Sequence, residues 1–328
     1  MYMPNEPVPT EPVPTESGTP THVVPPTDVA PQAGASKTPT DPPPTPTNPQ
    51  TGRRDFAVPT SPSGLVIHRG TLVWTDLSGA IWAMAADGST RPKKLSDQHR
   101  EGLAFHPFVA GDRVLAKADK ELLVIEVPDG PVTRVHLTGV PGLPEELVGD
   151  ATSVYVTIFN QKQVMRVPIG GGAAEHVLDV ARGVLALHGD TLYVASYDTG
   201  ALLAVPTAGG KPRTVAHGLR HPTAIAIDDT AAYVYSEDDQ RVLRVELATG
   251  ASSILGEHLN NSDELAIAGD SLYTVSWPGK LVRLPKVPGR APDTLADDLH
   301  VPRAVVSDDH FVYVTTQEPP RIVRIPRN

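Results

Sequence analysis

The sequence contains no cysteine in 328 residues. Disulfide bonds, thiolate nucleophiles and cysteine-ligated zinc are therefore excluded for this chain. It also contains no apolar run of membrane-spanning length. Lys and Arg form no cluster and the net charge is −10, so we expect no nucleic-acid partner. Aromatic residues make up 5% of the chain, which makes any recurring aromatic position informative.

Proline is plentiful but unevenly distributed, since fifteen of the 35 prolines fall in residues 1–50. The same stretch contains the tandem "EPVPTEPVPT" at residues 6–15 and few aliphatic side chains. Such a composition cannot bury enough apolar surface to offset the entropy of ordering. We therefore expect residues 1–52 to form a disordered Pro/Thr-rich tether and residues 53–328 to form the folded domain.

The rest of the sequence is a repeat. Its clearest markers are tyrosines at spacings of 38, 40, 40 and 40 residues, namely Tyr155, Tyr193, Tyr233, Tyr273 and Tyr313. An apolar run precedes each tyrosine, and a second short run such as "VMRVP" or "VLRVE" follows it. Two looser units stand earlier, with Trp74 expected at the tyrosine position of the first. The chain thus contains seven units.

Each unit consists of short runs rich in Val, Ile, Leu and Tyr, bounded by Gly, Asp and Pro, which is typical of strands. Four antiparallel strands repeated about every 40 residues predict an all-β, seven-bladed β-propeller of four-stranded blades. The seventh unit ends at "RIVRIPRN" without a fourth strand, whereas "RRDFAVPT" at residues 53–60 has strand character. We expect that segment to supply the outer strand of the last blade and so to close the ring.

Two parts of the repeat resemble known propeller families. Trp74-Thr75-Asp76 followed by "SGAIWAMAADGS" resembles a blade of the YWTD propellers, although seven units depart from the six blades usual there. The later unit "HPTAIAIDDTAAYVYSEDDQRVLRVELATG" is similar to blades of NHL-type and virginiamycin-B-lyase-like propellers. The resemblance implies the propeller fold. It does not fix the function, because such propellers include receptors, scaffolds, lyases and lactonases.

Candidate binding residues lie in loops that should share one end of the propeller. Loops leading into the inner strands carry charges of both signs, at Glu101, Glu145, Arg182, Asp263 and Arg303. Loops four residues past the repeat tyrosines carry the aromatic residues Phe159, Tyr197 and Trp277. Flat aromatic side chains of this kind suit contact with a sugar ring or a partner protein. The alternatives are a solvated, self-neutralising rim and aromatic packing between blades.

An enzymatic alternative needs a histidine beside a carboxylate for proton abstraction. His221 or His300 with Glu264 or Asp263 could provide this. The resemblance to virginiamycin-B-lyase-like enzymes implies metal-assisted elimination with a divalent cation. No complete catalytic motif is present, so the catalytic residues stay unknown and no other cofactor is evident. His106 and His188 are interpreted as channel or core residues.

The tether and the loop-rich face favour a non-catalytic function. We expect a tethered extracytoplasmic binding or scaffold module, monomeric, that recognises an envelope or secreted protein, or a glycan. Pro/Thr-rich tethers commonly join an export signal or lipid anchor to a surface domain, so the location is expected to be periplasmic, surface-tethered or secreted. No signal-peptide pattern precedes the tether in the given residues, so we expect the export signal to lie outside them.

Overall fold

The short apolar runs of the repeat fold into 28 β-strands arranged as seven four-stranded antiparallel sheets. The computed structural model describes residues 52–96, 106–158, 161–180, 182–262 and 264–327. The predicted tether, apart from Gly52, lies outside these residues. Within the described ranges, no helix is long and apolar enough to cross a membrane.

In each of the first six blades, four consecutive strands run from the central channel outward. A single strand, β1 (Arg54–Ala57), precedes them. Blade one contains β2 (Pro62–His68), β3 (Thr71–Asp76), β4 (Ile81–Ala85) and β5 (Lys93–Ser96). Blade two contains β6 (Pro107–Ala110), β7 (Arg113–Ala118), β8 (Glu121–Ile125) and β9 (Val132–His136). Blade three contains β10 (Pro144–Gly149), β11 (Ser153–Ile158), β12 (Gln163–Pro168) and β13 (Glu175–Asp179).

The remaining blades follow the same order. Blade four contains β14 (Gly183–His188), β15 (Thr191–Ser196), β16 (Leu202–Pro206) and β17 (Arg213–Ala216). Blade five contains β18 (Pro222–Ile227), β19 (Ala231–Ser236), β20 (Arg241–Glu246) and β21 (Ser252–Gly256). Blade six contains β22 (Leu265–Ala268), β23 (Ser271–Ser276), β24 (Lys280–Pro285) and β25 (Asp293–Ala296). Blade seven contains β26 (Pro302–Ser307), β27 (Phe311–Gln317) and β28 (Pro320–Pro326).

The fourth strand of blade seven is β1, which confirms the predicted ring closure. It pairs antiparallel with β28, with Phe56 opposite Ile322. Phe56 is buried against blades seven and one. Asp55 adds a side-chain link between the two strands, because its Oδ2 accepts a hydrogen bond of 2.7 Å from Nη1 of Arg321. The otherwise exposed edge of β28 is thereby paired.

The core lies between blades rather than in one central mass. Seven clusters of buried apolar side chains fill the seven interfaces between neighbouring sheets. All five repeat tyrosines are buried there. The hydroxyl of Tyr233 donates to Asp228 in the turn before its strand, at 2.8 Å, and Tyr313 does the same to Asp308. Burial, together with Asp228, raises the pKa of Tyr233 to about 12.

Trp74 does not occupy the tyrosine position, contrary to the expectation from the repeat. In blade one Val66 pairs with Val73, and in blade four Ala186 pairs with Tyr193, so Val73 is the counterpart of the tyrosine. Trp74 stands one residue later. Because strand side chains alternate between faces, a shift of one residue turns Trp74 to the opposite side of its blade.

Candidate functional site

The loop leading into an inner strand lies beside the loop after the second strand of the same blade. In five blades the residue just after the second strand, or at its end, donates its backbone N–H to a carbonyl of the leading loop. The donor–acceptor pairs are Leu77–Ser61, Tyr197–Arg182, Glu237–His221, Trp277–Asn260 and Gln317–His300. Both sets of loops therefore share one end of the propeller, which we call the channel face.

A central cavity of about 650 Å³ opens at the channel face. Toward blades four and five its wall is mostly apolar, formed by Val184, Leu185, Ala224 and Ile225. Elsewhere the wall carries titratable side chains, namely His106, Lys117, Glu145, Glu146, Glu264 and Arg303. A cavity with one apolar and one charged wall can hold a ligand or a partner side chain in a defined orientation.

The charged wall includes a lysine that sequence reasoning missed. Lys117 lies in β7, is only 7% exposed, and donates from Nζ to the carbonyl oxygens of Pro144 at 3.0 Å and Glu145 at 3.1 Å. Burial lowers the pKa of Lys117, while the carboxylates of Glu146 and Glu145 oppose that shift. The ammonium group thus ties blade two to blade three. Its signal in the sequence is a charged residue near the end of the apolar run "RVLAKA".

His106 and Glu264 meet across the channel. They belong to blades two and six, yet Nδ1 of His106 lies 3.8 Å from Oε1 of Glu264. Oε2 of Glu264 also accepts a hydrogen bond from the backbone N–H of Val305. Although 61% of the His106 side chain meets solvent inside the cavity, the protein around it lowers its pKa by desolvation, and Lys117 adds to the shift. The interpretation of His106 as a channel residue holds, but its pairing with Glu264 was not foreseen.

Tyr197 stands at the centre of a second group of side chains, between blades four and five. The His221 ring stacks on it with centroids 4.3 Å apart and planes 11° apart, and Cζ of Arg182 lies 4.1 Å from its centroid. Two planar groups this close cannot share one face, so Tyr197 is covered on both. Its hydroxyl donates to Oε2 of Glu237 at 3.0 Å, and this hydrogen bond raises the pKa of Tyr197.

The stack is fixed from the side by Asp238. Nδ1 of His221 lies 2.8 Å from Oδ1 of Asp238, and Nη2 of Arg220 lies 3.5 Å from its other oxygen. The hydrogen bond from His221 lowers the pKa of Asp238, with a smaller contribution from Arg220. His221 is therefore engaged with Asp238 and Tyr197, in a group separate from the Glu264 carboxylate.

Trp277 occupies the corresponding position of blade six, with different surroundings. Its side chain is 49% exposed and lines a pocket of about 260 Å³ together with Asn261, Val301, Pro302 and Arg303. Arg303 lines the central cavity as well, so the two spaces lie next to each other at this residue. We call this space the Trp277 pocket.

The leading loops give these positions a common geometry. His221, Asn261 and Val301 are 40 residues apart, and each has a positive φ, of 47°, 49° and 50°. This left-handed conformation is tolerated by His and Asn but is strained in a β-branched residue such as Val301. The backbone thus places corresponding side chains next to Tyr197 and Trp277, and the residue type decides what each ring meets.

The structure brings several sequence-predicted residues together. Tyr197, Arg182 and His221 form the stack, while Trp277 and Arg303 share a pocket. Glu145, Glu264 and Arg303 line the central cavity. His300 lies in the leading loop of blade seven. Phe159, Glu101 and Asp263 lie outside the described residues.

The enzymatic alternative stays a prediction. Among the described residues, no group of three or more His, Cys, Asp or Glu side chains could hold a metal ion.

These features define a class of protein: a seven-bladed β-propeller whose loop-rich channel face surrounds a charged central cavity. The chain belongs to the family described as "Outer membrane protein assembly factor BamB", whose family model matches residues 47–254, more than half of the chain. No curated protein sequence matches the chain at a significant level.

Solved propellers have a similar fold. Virginiamycin B lyase from Staphylococcus aureus matches with a TM-score of 0.70 at 14% identity, over 84% of this chain and 99% of that one. A streptogramin B lyase matches with 0.68 at 13%, over 84% and 97%. The propeller domain of Cps50 (Swd1) from Myceliophteria thermophila matches with 0.64 at 12%, over 84% and 100%. At such low identity these matches show the fold alone. They confirm the resemblance to propellers that the repeat predicted.

Proposed function

We propose that the chain is a protein-binding module of the cell envelope, displayed outside the cytoplasm, and that its channel face holds the partner. The family description names outer-membrane protein assembly, which supports an envelope location and a protein partner. The Pro/Thr-rich sequence of residues 1–52 supports display on a tether.

One observation carries the proposal: large apolar side chains stand exposed on the channel face. Leu77, which lines the central cavity, is 61% exposed, and Leu143, just before β10, is 52% exposed. Burying a leucine fully contributes about 1.5–3 kcal/mol. Glu145, Glu146 and Arg303 line the same cavity as Leu77 and give it charges of both signs. The partner chemistry that fits is an apolar protein segment flanked by both acidic and basic residues.

Site-specific photo-crosslinking tests this assignment. A photoreactive amino acid replaces Leu77 or Leu143, and in the matched control it replaces Val287, which is 57% exposed but lies at the opposite end, between β24 and β25. We expect the same partner to be captured from Leu77 and Leu143, and not from Val287.

The captured partner is then purified and titrated with variants of the chain. Leu77→Glu and Leu143→Glu should each weaken binding by about tenfold or more, whereas Val287→Glu should leave it unchanged. Equal capture from all three positions, or equal affinity of the three variants, would contradict a partner on the channel face.

A further inference from the structure

The Trp277 pocket is a site apart from Leu77 and Leu143. Of the three tryptophans in the chain, Trp74 is fully buried, Trp82 is 9% exposed, and Trp277 is half exposed. Around Trp277 the pocket of about 260 Å³ lies below the roughly 300–1,000 Å³ of pockets for drug-sized ligands, so its size suits a single ring.

Tyr197, between blades four and five, shows what packs against an aromatic ring at this position of a blade; we call its surroundings the filled position. There Tyr197 carries a planar group on each face, at 4.1 and 4.3 Å. At Trp277, Val301 stands where His221 stands beside Tyr197, and Asn261 also lines the pocket; neither provides a ring that could stack on the indole. A ligand ring that lays one face against the indole can therefore take the place that His221 takes beside Tyr197.

Arg303 decides the charge of that ligand. In the part of the chain that the structure describes, its guanidinium has no hydrogen-bond or ion-pair partner, although it lines the pocket. A guanidinium presents a planar fork that matches a carboxylate with two parallel hydrogen bonds. It also repels a second cation, which argues against an arginine side chain as the ligand.

Asn261 contributes the remaining polar group. Its amide both donates and accepts hydrogen bonds, so it suits the hydroxyl groups of a sugar better than the C–H edge of an aromatic acid. We propose that the Trp277 pocket binds a sugar ring that carries a carboxylate, with the ring against the indole and the carboxylate on Arg303. Arg303 also lines the central cavity, so the two spaces adjoin at this residue.

Tryptophan fluorescence tests this proposal on the whole chain, because ligand quenching at the pocket reports on Trp277. The probes are digalacturonate, the neutral disaccharide digalactose, and benzoate as a flat acid without hydroxyl groups. We expect a saturable emission change with digalacturonate, and binding weaker by about tenfold or more for digalactose and for benzoate. No saturable change with digalacturonate, or equal binding of either other probe, would overturn the proposal.

Variants locate the site. Arg303→Gln should weaken digalacturonate binding by about tenfold or more, and Arg220→Gln, from the filled position, should leave it unchanged. Calorimetry extends the test to Trp277→Ala, which should lose binding, and to Tyr197→Ala, which should keep it. If Arg303→Gln does not fold, Arg303→Lys serves instead, since it keeps the charge but loses the fork and should still weaken binding. Unchanged affinity in the Arg303 and Trp277 variants would place the sugar elsewhere, and the protein partner would be unaffected by that outcome.

Discussion

Tyr197 and Trp277 occupy the same position in blades four and six, yet one ring is covered on both faces and the other is half exposed. The backbone is alike at both, since each residue donates its N–H to the leading loop of its own blade. The difference lies in the neighbours. Arg182 and His221 stack on Tyr197, whereas Asn261 and Val301 leave a pocket beside Trp277. A repeat thus determines where an aromatic stands, and the loop residues decide whether it stabilises the fold or stays open to a ligand.

We expect the largest effect on Tyr197 and Trp277 from opening the propeller ring that holds both. Deleting residues 53–60 removes β1, including Phe56, whose burial contributes about 3–5 kcal/mol. We expect the melting temperature to fall by about 10 °C or more. Val301 and Arg303 of the Trp277 pocket belong to blade seven. The surroundings of Trp277 should therefore unfold at a lower temperature than the stack around Tyr197.

The control for ring opening is deletion of residues 1–50. It should shift the melting temperature far less, because those residues supply no strand to the sheets of the described ranges. Equal shifts for both deletions, measured by circular dichroism, would contradict the closing role of β1.

A pair of alanine variants measures how much each of the two aromatic side chains stabilises the fold. Tyr197→Ala should lower the melting temperature by several degrees, because it removes the contacts with Arg182, His221 and Glu237 together. Trp277→Ala should lower it less, although tryptophan is the larger side chain. Side-chain size alone predicts the reverse order, and that order in calorimetric scans would mean that the stack does not stabilise the fold.

The contribution of the stack around Tyr197 to stability should depend on pH through Asp238. The pKa of Asp238 is lowered in the folded state by its hydrogen bond with His221, so the stabilisation is present above the unfolded pKa and is lost as pH falls through the folded value. Asp238→Asn should therefore be less stable than the wild type near neutral pH, and the difference should shrink below about pH 4. Urea unfolding at several pH values measures this, and a difference that stays constant with pH would contradict it.

A single substitution next to Trp277 should cover its indole ring. Val301→His places an imidazole where His221 stands beside Tyr197, and histidine tolerates the positive φ better than valine. Acrylamide should then quench Trp277 less than in the wild type. Val301→Asn is the matched control, because it relieves the same backbone strain without adding a ring, and its quenching should stay at the wild-type level. Equal quenching in both variants would mean that residue 301 does not control the access of acrylamide to Trp277.

The sequence predicted the fold closely because each blade repeats a local pattern. Five tyrosines in phase indicated the blades, and the missing last strand pointed to residues 53–60. Trp74 was misplaced because a shift of one residue in a strand changes its face without changing its composition.

The candidate site was predictable only in part. Tyr197, Arg182 and Trp277 could be named because they stand at fixed points of the repeat. The contact of His106 with Glu264 could not, because it joins blades two and six across a channel whose width depends on ring closure. Nor does any local pattern show that His221 covers Tyr197 while Val301 leaves Trp277 open.

Acrylamide quenching of the wild type and of Trp277→Phe tests most directly whether Trp277 is open to solvent. Trp74 and Trp82 are buried, so we expect a readily quenched part of the emission in the wild type that disappears in the variant. Quenching that is unchanged by the substitution, or a wild type whose emission acrylamide does not reach, would contradict the open position at Trp277.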